Sequence, residues 1–310
     1  MDAHVSAPSA SPVSAPGSPI HLEREAPGKA VELADGFWMI ATRHRPGLSK
    51  RMFEINNRCL IFRVREPGAA KPLLLVANAV DPAQALDEVR RIERETTLTV
   101  RYVLSVGGGH HLHMAPWVTA FPLAKILLPP VRLPRTRNGQ KLLAMPRVSV
   151  MDLDNPLPQF RGQLDAVLFH GLLGFADHQS PAEGGKDNLV AMMKMMATMM
   201  RGPKDPVDEL WLHHAPTGTV IAGENLAWFY PKDEYDKLGF MGKKMLKPDK
   251  VWLMEMARKV KDPAVVAACW KKILAWPMRT LLTYHDPPTR AVVSDAHGAL
   301  ERAAREAKQI

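Results

Sequence analysis

The stretch TVRYVLSVGGGHHLH, residues 99–113, decides how this chain is read. Thr99 to Val106 is rich in β-branched residues and reads as a strand. It runs straight into Gly107, Gly108 and Gly109, and then into His110, His111, Leu112 and His113. A polar cluster at the carboxyl end of a strand is where open α/β sheets place their sites. Imidazoles at i and i+2 in a loop can converge on one ion, and glycines just before them let the backbone turn tightly. Neutral imidazole suits zinc, iron, copper and nickel. The competing reading is a polar surface loop that happens to hold three histidines.

Upstream, the sequence alternates strand and turn. Phe37 to Ile40 follows Asp35-Gly36 and reads as a strand after a turn, and Arg58 to Val64 reads as a second strand, closed by Glu66-Pro67-Gly68. Leu73 to Ala77 is continuously apolar, as strands covered on both faces are. Asp81-Pro82 then opens a helix, the aspartate as cap and the proline in the first turn. Ala85, Leu86, Val89 and Ile92 repeat at helical spacing.

Downstream, Ala124 to Leu128, Leu164 to Phe169, Glu209 to His214, Thr219 to Ala222 and Leu281 to His285 read as strands. Asp187 to Arg201 reads as a Met-rich helix, which is compatible with a core, a lid or a homodimer interface. Lys232 to Trp276 reads as helical, basic and Met-rich, and Ser294 to Gln309 as a terminal helix. The basic face within 241–261 is weighed as a solvated helix surface against contact with an anionic membrane. Two further strand ends carry histidine: His213-His214 before Ala215-Pro216, with Gly223-Glu224 one short strand later, and His285 before Asp286. His170 and His178 form a secondary pair whose spacing fits no metal motif; their apolar flank reads as a hydrogen-bonded core. Arg132, Arg135, Arg137 and Lys141 are read either as an anion-binding rim or as a basic surface loop.

Composition bounds the function. The chain has 310 residues, 46% hydrophobic and 24% charged, enough for a sizeable core. Its 41 basic residues exceed its 32 acidic ones, a net charge of +9 that favours an anionic substrate or surface. Only Cys59 and Cys269 occur, which excludes a disulfide framework and a Cys-rich metal site. No stretch reaches the roughly 18 apolar residues of a spanning helix, so no integral membrane segment is expected. No nucleic-acid motif appears. Residues 1–30, rich in Ala, Ser and Pro at their start, are expected to be a disordered tail without a signal peptide, and the protein is expected to be cytoplasmic.

The order of these features resembles the metallo-β-lactamase fold superfamily. The similarity rests on early strands and a helix, a His-rich loop after a strand, a later His before a Pro/Gly turn, a strand ending in Gly plus a carboxylate, and a last strand ending in His. Here those are His111-Leu112-His113, His214-Ala215-Pro216, Gly223-Glu224 and His285, spanning about residues 31 to 305. The likeness departs at Ala115 and Pro116, where the family carries Asp and His for a second metal, and at Glu224, where it carries Asp. The segment also resembles a side branch of that superfamily through Trp117, Phe121-Pro122 and residues 124–128.

The resemblance implies an α/β fold, an αββα sandwich over 31–310 with helical insertions at 187–202 and 232–276. It implies one metal, zinc or alternatively iron, held by His111, His113 and His214, with His110 behind them. Glu224 would be a ligand or a general base, and His285 a second-metal ligand or a proton donor. The expected activity is hydrolysis of a small ester, amide or anionic substrate by metal-activated water. The alternatives are an iron-dependent oxidoreductase on the same fold, or a binding protein with a degenerate metal site.

Overall fold

The computed structural model describes residues 27–44, 55–107, 113–131, 133–135, 137–174, 205–223, 227–238, 243, 247–253, 259–285, 292–293 and 295–310. The Ala/Ser/Pro-rich start, the Met-rich segment at 187–201, His110, His111, His178 and Glu224 lie outside the described residues.

One sheet has the order β1-β2-β3-β4-β5-β6-β7: Ala30–Ala34, Phe37–His44, Ile55–Val64, Leu73–Ala77, Val100–Leu104, Lys125–Leu128 and Val148–Val150. β1 to β4 are antiparallel neighbours; β4 to β7 are parallel, so each needs a crossover. Three helices supply these crossovers: α1 (Pro82–Thr96), α2 (Met114–Ala120) and α3 (Arg137–Leu143). α1 starts where the sequence predicts: the Asp81 carboxylate accepts from Ala83 N–H, and Pro82 sits in the first turn. It ends at Thr97, which takes a left-handed backbone (φ 55°).

The second sheet has the order β13-β8-β9-β10-β14-β15. Its strands are β8 (Leu164–Gly174), β9 (Asp205–His214), β10 (Thr219–Ile221), β13 (Lys259–Val260), β14 (Thr280–Leu282) and β15 (Val292–Val293). β11 (Ala227–Phe229) and β12 (Val251–Leu253) form a separate ribbon. A short helix α4 (Lys232–Tyr235), then α5 (Pro263–Leu274) and α6 (Ala296–Glu306), complete the described elements. Asp262 caps α5 through Val265 N–H, and Asp295 caps α6 through Gly298 N–H.

Period-two alternation divides the apolar residues into three layers. Between the sheets, Leu60, Phe62, Leu75 and Leu104 pack against Leu164, Leu168, Leu210 and Leu212. Outside the first sheet, Ile61, Val76 and Val103 pack on Val89 and Ile92 of α1 and Trp117 of α2. Outside the second, Phe169 and Trp211 pack on Trp270 of α5 and Leu300 of α6. This is the αββα sandwich expected from the sequence. β4 is buried at every residue because both its faces are covered.

One expectation is corrected. The segment 232–276 is not a continuous helical insertion: β12 and β13 interrupt it. Val251-Trp252-Leu253 is a three-residue buried apolar run, which suits a strand paired with β11 rather than one face of a helix. Helix resumes only at Asp262-Pro263, where the sequence carries its own start signal.

Candidate functional site

β4, β5 and β6 are parallel, so their carboxyl ends share one edge of the first sheet. The second sheet meets that edge through β9. Leu210 N–H donates to the Val106 carbonyl at 2.8 Å, and Gly107 bridges to Glu209. β10 and β14 are also parallel, and β14 ends there in Thr283, Tyr284 and the buried His285. His113 stands half-buried at the start of α2, six residues beyond Gly107. α2 is tied down by Trp117, whose indole N–H donates to the Val80 carbonyl at 2.8 Å. His113 and His285 therefore belong to the same end of the sandwich, together with Gly107 and Gly223.

Polar and charged groups are buried at this mouth. Arg58 lies on the inward face of β3, in step with Leu60, Phe62 and Val64, and is fully buried. Its guanidinium crosses to the second sheet and donates to the Thr283 carbonyl at 2.5 Å. Asn78, directly after β4, takes a left-handed backbone (φ 70°). Its amide donates to Asn57 Oδ1 at 2.7 Å and to the Arg58 carbonyl at 2.8 Å. Asp208, fully buried, accepts from Val131 N–H at 2.6 Å. Thr283 Oγ1 and Trp211 Nε1 are buried without a hydrogen-bond partner among the described residues.

Gly223, just before Glu224, is held tightly. A Cβ there would stand 2.7 Å from Trp211 Nε1 and 2.8 Å from Glu209 Oε2. Gly223→Ala is expected to lower stability by about 1–3 kcal/mol, because both neighbours belong to a packed strand. A urea titration of the variant against the parent chain measures it.

His214 does not join this site. It pairs with Leu164 and Thr219 at the far end of β9. Five residues separate it from Glu209, about 17 Å of extended strand. There its ring packs between the sheets, 4.9 Å from Phe37 and 5.5 Å from Phe62. Its Nδ1 lies 2.9 Å from Thr217 Oγ1, the first link of a buried hydroxyl chain to Thr219 and Thr280. Burial, helped by the neighbouring His213, pushes its pKa down to about 4. His214 is thus a neutral core histidine, and the expectation that it ligates the metal is withdrawn. The Ala-Pro-Thr-Gly sequence after it is the tip of a hairpin, which resembles the family's Pro/Gly turn in composition only.

The other histidines are also placed. His213 points to the outer face, with Nδ1 3.2 Å from Asp165 Oδ2 and its ring stacked on Trp276 at 5.5 Å. That hydrogen bond holds the Asp165 carboxyl below its usual range. His170 is hydrogen-bonded to the Leu168 carbonyl and lies beside Cys269, as a core histidine does. Arg135, Arg137 and Lys141 are exposed. Sequence reading missed Arg58, Asn78 and Asp208. A signal existed for the first: a charge at position 58 breaks the inward-facing series 58, 60, 62, 64.

Among the described residues, no group of three or more His, Cys, Asp or Glu side chains is placed to hold a metal ion. His113 and His285 at this end are of the right chemistry for a metal, as are the carboxylates of Asp208 and Glu209, and no three of the described donors are placed around one ion.

No protein-family model and no curated protein matches the sequence. Solved structures do match its shape. A metallo-β-lactamase from Erythrobacter litoralis, with β-mercaptoethanol in its active site, aligns at a TM-score of 0.52 over 91% of this chain and 96% of that one, at 14% identity. The metallo-β-lactamase FIM-1 from Pseudomonas aeruginosa, in its mono-zinc form, aligns at 0.50 over 92% and 97%, at 10% identity. The chain has the metallo-β-lactamase fold. A metal-soaked flavodiiron core from Synechocystis sp. PCC6803 aligns at 0.48 and 14% identity; the chain covers 60% of that protein, with 91% of its own length aligned. At 10–14% identity these likenesses speak for the fold alone. Among the described residues, no helix is long and apolar enough to cross a membrane.

Proposed function

We propose that this protein is a metal-dependent hydrolase of a small, anionic substrate, working at the strand-end mouth. One ion, zinc or alternatively iron, would be held by His111 and His113, with His285 or Glu224 completing the set and His110 behind them. The observation that supports the reading is that His113 and His285 share one end of the sandwich with Gly107 and Gly223, the described residues that precede His110-His111 and Glu224 in sequence. The bound ion would supply a water made acidic toward about neutral pH. In this reading Glu224 takes a proton, or ligates, and His285 gives one to the leaving group when it is not itself a ligand. The buried guanidinium of Arg58 favours negative charge at the mouth. Ala115 and Pro116 stand where second-metal ligands would be, which supports one ion rather than two. A cytoplasmic setting belongs to the same proposal; both cysteines are buried free thiols.

A second reading is favoured by Ala115 and Pro116, which stand where the resembled family carries Asp and His for a second metal. It makes the protein a binding module that kept the fold and lost the metal. Elemental analysis of protein purified without chelators separates the two. About one zinc or iron per chain is expected, lost in a His111→Ala/His113→Ala double variant and retained in His214→Ala. No stoichiometric metal, and no uptake of added zinc or iron, would overturn the hydrolase reading and leave the binding module.

A further inference from the structure

We infer that the outer face of α5, with the edge strand before it, is a docking surface for an anionic lipid bilayer. Lys259 and Lys261 stand exposed just before the helix, and Lys271 and Lys272 stand exposed on its last turns. Among the described residues none of these four lysines forms an ion pair. The neighbouring helix α6 differs: Arg302 pairs with Asp295, Arg305 with Glu301, and Lys250 with Glu306. Among the described residues the arginines of α6 are thus paired and the four lysines at α5 are not, the carboxylate beside them, Asp262, serving as the helix cap.

The geometry favours a flat, diffuse partner. α5 buries Val266, Cys269, Trp270 and Ile273, so alanines and lysines form its outward face. That face is smooth and offers no large apolar anchor of the kind a protein interface is built around. Beyond the last turn, Trp276 and Met278 are half-exposed, four to seven positions after Lys271 and Lys272 in sequence. Indole rings flanked by cations are favoured at the headgroup level of a bilayer. Each lysine near an anionic leaflet adds to binding, and the attraction fades within a Debye length, so it must be salt-sensitive. Single-stranded nucleic acid is held by aromatic rings stacked on successive bases, whereas the half-exposed indole on this face, Trp276, is already stacked on His213.

Co-sedimentation of the full chain with vesicles tests this. Mixed phosphatidylcholine–phosphatidylglycerol vesicles are compared with pure phosphatidylcholine vesicles, at low and high salt. The protein is expected to bind only the mixed vesicles and to be released by salt. Lys271→Glu/Lys272→Glu should weaken partitioning at least about tenfold. The charge-matched control Lys71→Glu/Arg101→Glu, at exposed positions just before β4 and on β5, should not. Lys271→Gln/Lys272→Gln gives an intermediate loss and guards against misfolding of the charge reversal, with circular dichroism reporting the fold. Equal binding to both vesicle types, or equal losses in variant and control, would overturn the proposal. So would displacement from mixed vesicles by duplex DNA at equal phosphate, which would make the face a nucleic-acid surface.

Discussion

Lowering the pH from 7 toward 4 is expected to remove about 3 kcal/mol of folding stability through His214 alone. The side chain is buried, 3% exposed, its ring packed against the stacked Phe37–Phe62 pair, and its pKa falls from an ordinary 6.5 to about 4. In the unfolded chain the same imidazole takes its proton near 6.5. Between those two values the unfolded state therefore binds more protons than the folded one, and stability falls as pH falls. Above about pH 6.5 the contribution is complete; below about 4 it is gone. At about 1.4 kcal/mol per pKa unit, the gap gives the figure above. Denaturant titrations at pH 7 and 4.5 measure it, with His214→Gln as reference, since glutamine fills similar space and does not titrate. The parent should lose about 2–3 kcal/mol more than the variant over that interval. Equal losses in the two proteins would mean that His214 is protonated in the folded state. Asp165, whose carboxyl is held low by His213, acts at lower pH: its contribution is present above the ordinary aspartate range and lost only below it.

Arg58→Met is expected to cost about 3 kcal/mol at neutral pH. A fully buried guanidinium is tolerated only where acceptors and counter-charges meet it. Here it donates to the Thr283 carbonyl, at an end of the sandwich that also buries Asp208 and Glu209. Methionine fills most of the volume but removes the donor and the charge together. Hydrogen bonds from charged groups contribute about 1.5–3 kcal/mol, and a buried acceptor stripped of its donor adds to the loss. Arg58→Lys keeps the charge with a shorter, less directional reach, so it should recover part of the stability. Urea titration of the three proteins decides it; a loss below about 1 kcal/mol in Arg58→Met would show that the charge is not needed to join the sheets. The same variants bear on function, because Arg58 holds the strand end that carries His285.

The fold was legible in the sequence where local chemistry sets it. Leu73 to Ala77 is apolar at every position and became the doubly covered β4. Asp81-Pro82 and Asp262-Pro263 are start signals written in a few residues, and both open helices. The 232–276 segment was misread because its basic, Met-rich composition masks the short apolar strand at 251–253. His113 and His285 both follow strands and lie at one end of the sandwich. His214 follows a strand too, yet its strand runs away from the mouth.

The sequence by itself determined the layered α/β architecture, because hydrophobic period and helix caps are local free energies that each segment carries with it. It also determined that a run of three histidines among four residues follows β5, the strand at residues 100–104. Only the tertiary structure decided which histidines share an end. That depends on strand direction and register: β9 pairs antiparallel with β8, and this places Glu209 beside Gly107 and His214 opposite Leu164. Such pairings join residues tens of positions apart, so the periodicity of either strand alone does not encode them. The inward turn of Arg58 became an inter-sheet bond for the same reason: its acceptor, Thr283, lies 225 residues away.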